Sequence, residues 1–184
     1  PMVYYPLTTL MYIGIKDILI ITNPNEINLF KNLLGDGKNL GINISYEIQN
    51  KPEGLAQALI IGEKFLDGNP SILILGDNIF HGEKMLDSFE RSMKRKNGAT
   101  IFCYPVKNPK DYGVIEFSKD NKVKRIVEKP EKPISKFAIT GIYFFDSTAS
   151  SRAKEIKLSE RGEYEITCLN NHYLQENLLF VEKF

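Results

Sequence analysis

The 184-residue sequence predicts a three-layer α/β fold with a mostly parallel sheet and an added antiparallel hairpin. Three observations carry the prediction. The first is Ser71-Ile72-Leu73-Ile74-Leu75, an unbroken apolar run that stops at Gly76-Asp77-Asn78. Such a run needs both faces buried, as a central strand covered by helices does. The second is the alternation of short apolar runs with helical spacings as far as residue 104, the βα pattern of a sheet with right-handed crossovers. The third is the change after Pro105, where two strand-like segments flank the turn Ser118-Lys119-Asp120-Asn121, a hairpin signal.

Taken in order, residues 7–13 carry apolar side chains on a helical spacing and end at Gly14, and residues 17–22 form a short buried strand broken by Asn23-Pro24-Asn25. Residues 26–34 read as an amphipathic helix with Ile27, Phe30, Leu33 and Leu34 on one stripe. Residues 42–48 alternate strictly, as a strand half exposed at a sheet edge does. Helical spacing returns over 54–66, followed by the strand 71–75, a helix over 83–96 and a buried strand over 99–104. The hairpin strands are 113–117 and 123–127, and a further apolar strand covers 137–145. Two helical segments, 147–156 and 165–175, precede a last strand at 178–181.

One domain suits this length. The apolar share of 42% and charged share of 26% argue against disorder, and a net charge of +1 gives no electrostatic reason to bind nucleic acid or a membrane surface. Cys103 and Cys168 lack disulfide or zinc spacing, and no apolar run approaches the ~20 residues that span a bilayer. A soluble protein of a reducing cytoplasm is the expectation. His81 and His172 show no metal-ligand spacing, and no nucleophile triad can be built.

Five polar patches have the residue types for a phosphorylated, hydroxyl-rich ligand. Gln49 to Gln57 joins a strand to a helix. Gln49 offers an amide donor and acceptor side by side, the complement of a pyrimidine imide edge, and Gly54 permits backbone contact. Asp77 lies at the carboxyl end of its strand, where ligands of open α/β sheets bind; it is a candidate metal anchor, with helix capping as the plainer alternative. Asp111-Tyr112-Gly113-Val114 exposes a glycine N–H at a strand start. Glu128-Lys129-Pro130 pairs a carboxylate for a sugar hydroxyl with an ammonium for a phosphate, although the same triplet is common on surfaces. Arg161, in Glu160-Arg161-Gly162-Glu163-Tyr164-Glu165, has the fork geometry for a phosphate, and a charged loop before a helix explains it as simply.

Together, the stretches Pro-Glu-Gly-Leu-Ala-Gln-Ala (52–58), Leu-Gly-Asp-Asn-Ile-Phe-His-Gly (75–82), Asp-Tyr-Gly-Val-Ile-Glu-Phe (111–117), Glu-Lys-Pro (128–130), Ala-Ile-Thr-Gly-Ile-Tyr-Phe-Phe-Asp (138–146) and Arg-Gly-Glu-Tyr-Glu-Ile-Thr (161–167) closely resemble the sugar nucleotidyltransferases, and within them the glucose-1-phosphate thymidylyltransferases. The resemblance runs from Pro1 to Phe184. It implies a Rossmann-like nucleotide-diphosphosugar transferase fold and the formation of dTDP-glucose and pyrophosphate from dTTP and glucose 1-phosphate, with Mg²⁺ as cofactor, in a homo-oligomer that is a tetramer in the family. Carried over position by position, it implies Gln49 and Gly54 on the thymine base and Asp77 on the metal. It likewise implies Tyr112, Gly113, Glu128, Ile139 and Thr140 around the glucose, and Lys129 and Arg161 on the sugar phosphate, with Asp77 and Arg161 as the catalytic pair. The family's Gly-rich triphosphate loop and a second metal-binding aspartate have no counterpart between residues 1 and 184. The expectation is therefore a single nucleotidyltransferase domain truncated at both ends and inactive alone. Uridylyl or cytidylyl transfer, and a non-catalytic chain that binds a nucleotide sugar or regulates, are the alternative readings.

Overall fold

The computed structural model describes residues 1–184, apart from the side chains of Glu83 and Lys84. The elements are α1 (Tyr4–Tyr12), β1 (Asp17–Thr22), α2 (Ile27–Leu34), a 3₁₀ turn at Lys38–Leu40, β2 (Asn43–Ile48), α3 (Gln57–Ile61), α4 (Glu63–Leu66), β3 (Ser71–Ile74) and α5 (Glu83–Met93). The second half adds β4 (Ala99–Pro105), β5 (Gly113–Phe117), β6 (Val123–Glu128), β7 (Phe137–Phe145), α6 (Ala149–Glu155), α7 (Ile166–Gln175) and β8 (Leu179–Lys183).

The three layers follow from strand alternation. In β4, Ala99, Ile101 and Cys103 face one side, where they pack with Ala153 of α6 and Leu169 and Tyr173 of α7. Phe102 faces the other side and meets Phe89 of α5, as do Ile142 and Phe144 of β7. Successive residues of a strand point to opposite faces, so β4 and β7 are covered on both. A third cluster joins Leu7 and Leu10 of α1 and Leu34 of α2 to Ile18 and Ile44 of the first two strands.

The expected α/β architecture is present with a mixed sheet. β1 pairs with β2 and β4 with β8 in parallel, whereas β3·β7, β4·β7, β5·β6 and β5·β7 are antiparallel. The parallel share is smaller than the βα alternation predicts, because the nine-residue β7 takes the places beside both β3 and β4. β3 therefore pairs antiparallel, and β1 and β2 form a separate two-stranded sheet.

The hairpin is as expected, with Asn121 at φ 62° in its turn. The single helix expected over 54–66 is two short ones divided at Gly62. A Cβ there would stand 3.3 Å from Leu19 Cδ2 of β1 and 3.0 Å from the Ala58 carbonyl, so the glycine marks a close helix-to-strand approach. Between β1 and β3 lies an apolar cavity of about 1090 Å³. No helix among the described residues is long and apolar enough to cross a membrane.

Candidate functional site

A second cavity, of about 1110 Å³, opens where the loop after β3, the open end of the β5–β6 hairpin, the middle of β7 and the start of α7 converge. Each wall has a local cause. After β3 the chain pairs once more, Leu75 N–H donating to the Gly141 carbonyl at 2.8 Å, and then leaves the sheet at Gly76. The exposed Asp77 follows on the cavity wall.

Asn78 sets the direction of that carboxylate. Its Nδ2 donates to Asp77 Oδ1 at 2.8 Å, and its Oδ1 accepts from the Gly141 N–H at 3.0 Å. Gly141 of β7 leaves the Asn78 amide its place, since a Cβ would come within 2.7 Å of it and push it away. β7 also bulges here: Ile101 and Cys103 of β4 pair with Tyr143 and Ile139, so two residues of one strand span four of the other. The surplus carries Thr140 and Gly141 toward Asn78 and into the cavity wall.

The hairpin supplies the opposite wall. Gly113 and Glu128 are register partners, and Lys129 N–H donates to the Tyr112 carbonyl at 3.0 Å, so residues 112–113 and 128–129 meet across two strands. The buried Thr167, one residue into α7, donates its hydroxyl to Glu128 Oε2. A Cβ on Gly113 would stand 3.1 Å from Thr167 Oγ1 and 3.3 Å from Glu128 Oε2, so the bare glycine leaves room for that pair. Burial, reinforced by the Glu128 charge, pushes the phenol of Tyr143 in the same wall well above its ordinary range.

The loop before α3 is tied to the segment before α7 by a short backbone ladder. Tyr164 N–H donates to the Glu53 carbonyl at 2.6 Å, and Ala56 N–H to the Tyr164 carbonyl at 3.1 Å. Gly54, at φ 101°, sits between them, where a Cβ would meet Tyr164 backbone atoms at 2.5–2.8 Å. Gln49 Nε2 donates to Gln57 Oε1 at 2.6 Å and, more weakly, to the Gly54 carbonyl at 3.4 Å. Gln57 Nε2 donates in turn to Glu53 Oε2 at 2.7 Å.

Of the residues singled out in the sequence, Asp77, Tyr112, Gly113, Glu128, Lys129, Ile139 and Thr140 line this one cavity. Gln49 and Gly54 lie outside its wall, joined to it through Leu55. Arg161 also lies outside, its guanidinium 2.7 Å from Glu163 and 3.6 Å from Glu165. Sequence reasoning missed Asn78 and Thr167. Asn78 stands beside Asp77 in the stretch 75–82 and Thr167 ends the stretch 161–167, but nothing local assigns either a partner, because Gly141 and Glu128 are far away along the chain. His81, assigned no role from its spacing, is on the wall as well.

A single carboxylate, Asp77, faces the cavity from the loop after β3. Among the described residues no group of three or more His, Cys, Asp or Glu side chains gathers to hold a metal. Asp77 engages one oxygen with Asn78 and keeps Oδ2 available, which fits a magnesium site that relies on one or two protein carboxylates plus water and substrate phosphate.

The chain matches the nucleotidyl transferase family over residues 1–183. It is 54% identical over 182 residues to the glucose-1-phosphate thymidylyltransferase of Xanthomonas campestris pv. campestris, covering 99% of this chain and 62% of that protein. It is 49% identical to the enzyme of the same name from Neisseria meningitidis, of which it covers 63%. The chain thus spans less than two thirds of the length of these relatives. A crystal structure of a Bacillus anthracis protein assigned as a glucose-1-phosphate thymidylyltransferase, in complex with a sucrose, superposes with a TM-score of 0.92 at 38% identity, over all of this chain and 74% of that one. UDP-glucose pyrophosphorylase complexed with UDP-glucose shares the fold, with a TM-score of 0.81 at 23% identity over all of this chain and 78% of that one.

Proposed function

The chain belongs to the nucleotidyl transferase family, and from that premise we propose that it serves the formation of dTDP-glucose and pyrophosphate from dTTP and glucose 1-phosphate, as one domain. In this reaction a phosphate oxygen of glucose 1-phosphate attacks the α-phosphorus of dTTP. A new P–O bond forms as the bond to the β-phosphate breaks, and the electron pair leaves with pyrophosphate. Such transfers depend on positioning and on neutralising charge at the phosphates rather than on a covalent enzyme intermediate.

The observation that carries the proposal is the convergence of Asp77, Tyr112, Glu128, Lys129 and Thr140, from four elements, on one cavity. The Glu128 carboxylate, held by Thr167, is an acceptor for sugar hydroxyls, and the Gly113 N–H is a donor beside it. Tyr112 and Ile139 supply apolar surface against the ring. Lys129, exposed at the mouth, places an ammonium where a phosphate enters. Arg161 would add a second cation in competition with Glu163 and Glu165, which lie 2.7 and 3.6 Å from its guanidinium. Gln49 offers its amide to the base; the space a Cβ would take on Gly54 is filled by the Tyr164 backbone, so Gly54 contributes only its main-chain polar groups. Asp77 would hold Mg²⁺, which supplies charge neutralisation between phosphates when bound.

Calorimetric titration of the folded chain with dTDP-glucose tests the proposal. We expect saturable binding that weakens about tenfold or more in Glu128→Ala, the loss of charged hydrogen bonds to a sugar. Absence of binding by a chain that circular dichroism shows to be folded would sink it.

A further inference from the structure

We infer that Glu53 and Gln57 are positioning residues that fix which end of the Gln49 amide meets the base, so that the site selects a pyrimidine carrying an N3–H, such as thymine or uracil, against cytosine. The inference rests on the reading of Gln49 as the base contact and adds the reason for its selectivity.

An isolated glutamine is a poor discriminator, because its amide turns over to offer either a donor or an acceptor. Here the turn is set from a distance. An ionised carboxylate only accepts hydrogen bonds, so Glu53 Oε2 draws the Nε2 side of Gln57 toward itself at 2.7 Å. That leaves Gln57 Oε1 on the far side, where it accepts from Gln49 Nε2 at 2.6 Å. Gln49 Nε2 also lies 3.4 Å from the Gly54 carbonyl, a second and weaker acceptor on the same side. The Nε2 end of Gln49 is thus engaged within the protein, and Oε1 is the end left for a ligand. The sequence suggests a donor and an acceptor side by side; the structure leaves the acceptor.

The source of this polarity is itself fixed. Glu53 is tied through its carbonyl to the Tyr164 N–H at 2.6 Å, and Gly54 fits so closely against Tyr164 that no Cβ is accommodated. Glu53, Gln57 and Gln49 are all partly buried, where a misdirected amide is costly. Turning Gln49 over would set its oxygen against the oxygens of Gln57 and Gly54. Turning Gln57 to relieve that would set an oxygen against the Glu53 carboxylate. A free acceptor at Gln49 Oε1 takes the N3–H of an imide pyrimidine and repels the N3 lone pair of cytosine.

The test is calorimetric titration of the 184-residue chain with UDP-glucose and with CDP-glucose, which differ only at the base edge. The unaltered chain is expected to favour UDP-glucose about tenfold or more, the worth of one directed hydrogen bond against one lone-pair clash. Glu53→Gln removes the group that can only accept, and Gln57→Leu cuts the relay; each is expected to reduce the preference about tenfold. The double exchange Glu53→Gln with Gln57→Glu moves the acceptor-only group one place along, still facing Gln49 Nε2, and is expected to restore the preference. A general loss of fold would weaken both ligands alike and leave the ratio, so restoration of the ratio is specific to polarity. A preference that persists unchanged in both Glu53→Gln and Gln57→Leu overturns the relay while leaving nucleotide-sugar binding intact. Failure of the folded, unaltered chain to bind either ligand overturns the proposed function, and the relay with it.

Discussion

A single hydroxyl decides how the Glu128 carboxylate is presented. Thr167 is buried, and its hydroxyl donates to Glu128 Oε2, holding one oxygen back and leaving the other toward the cavity. Thr167→Val keeps the volume and removes the donor, so the carboxylate loses its tether without a cavity being opened. The expected outcome is dTDP-glucose binding weakened about fivefold, with a melting temperature within a few degrees of the parent. Titration and thermal unfolding together check this; unchanged affinity would mean that Glu128 is oriented by other groups. The same pair shows what a sequence can and cannot disclose about a site. Asp77 is legible because it follows an apolar strand and carries a chemistry of its own, whereas Glu128, the last residue of the mixed strand Val123–Glu128, is legible only through the family resemblance of its triplet. Thr167 is not, since a threonine in the first turn of a helix is unremarkable until the fold brings it to a carboxylate 39 residues away. Arg161 is the converse. Its chemistry suits a phosphate, yet its nearest anions are Glu163 and Glu165 of its own loop.

Among the elements, β7 does most to order the others, and the residue that ends it gathers four of them. Asp146 accepts from the Gly98 N–H at 2.6 Å before β4, from the Thr148 N–H at 3.0 Å and hydroxyl at 2.6 Å before α6, and from the Tyr173 hydroxyl at 2.9 Å in α7. Burial by itself raises the Asp146 carboxyl pKa; the bonds from Thr148, Gly98 and Tyr173 outweigh it and hold the group below its ordinary value of 3.8. A folded-state pKa below the unfolded one contributes stability above about pH 3.9, and that contribution disappears as pH falls through the folded value. Asp146→Asn keeps the shape and removes the charge, at a cost of about 2 kcal/mol near neutrality. In urea unfolding the gap between parent and variant should be widest at pH 7 and should close below pH 4; a gap independent of pH would refute the charge argument. The bounds of β7 were plain in the sequence, residues 137–145 forming one apolar run. Its direction was not. Nothing local distinguishes a strand that enters antiparallel between β3 and β4 from one that extends a parallel sheet, because partner choice is set by contacts distant in sequence. The predicted 54–66 helix divides at Gly62, where a Cβ would stand 3.3 Å from Leu19 of β1, a close approach that periodicity does not register.

At the scale of the whole molecule, the two sheets share no strand pairing. β1 pairs only with β2 and β3 only with β7, and the cavity of about 1090 Å³ between them is bordered by every residue of both strands, Asp17 to Thr22 and Ser71 to Ile74. A strand turning one face to a cavity contributes alternate residues. Consecutive residues from both strands mean that their edges, with backbone N–H and C=O groups, border the space. The layers above and below are apolar, with Leu7 and Leu10 of α1 on the cavity wall and Leu59 and Leu66 of α3 and α4 among the other residues lining it. Backbone groups at such an edge lack the second row of partners that β4 and β7 possess, since β4 lies between β7 and β8, and β7 between β4 and the strands β3 and β5. Exchange of a backbone amide requires its hydrogen bond to open, and an amide that faces an unpaired edge has none to open. Hydrogen exchange read by mass spectrometry should therefore divide the molecule. Peptides covering 17–22 and 71–74 are expected to take up deuterium at about half of their amides within seconds, while those covering 99–105 and 137–145 remain protected for far longer. Equal protection in all four would mean that the edges are closed in solution, by a shift of the two-stranded sheet onto β3 or by pairing between copies. Dilution distinguishes these, because only pairing between copies loses its protection as the concentration falls.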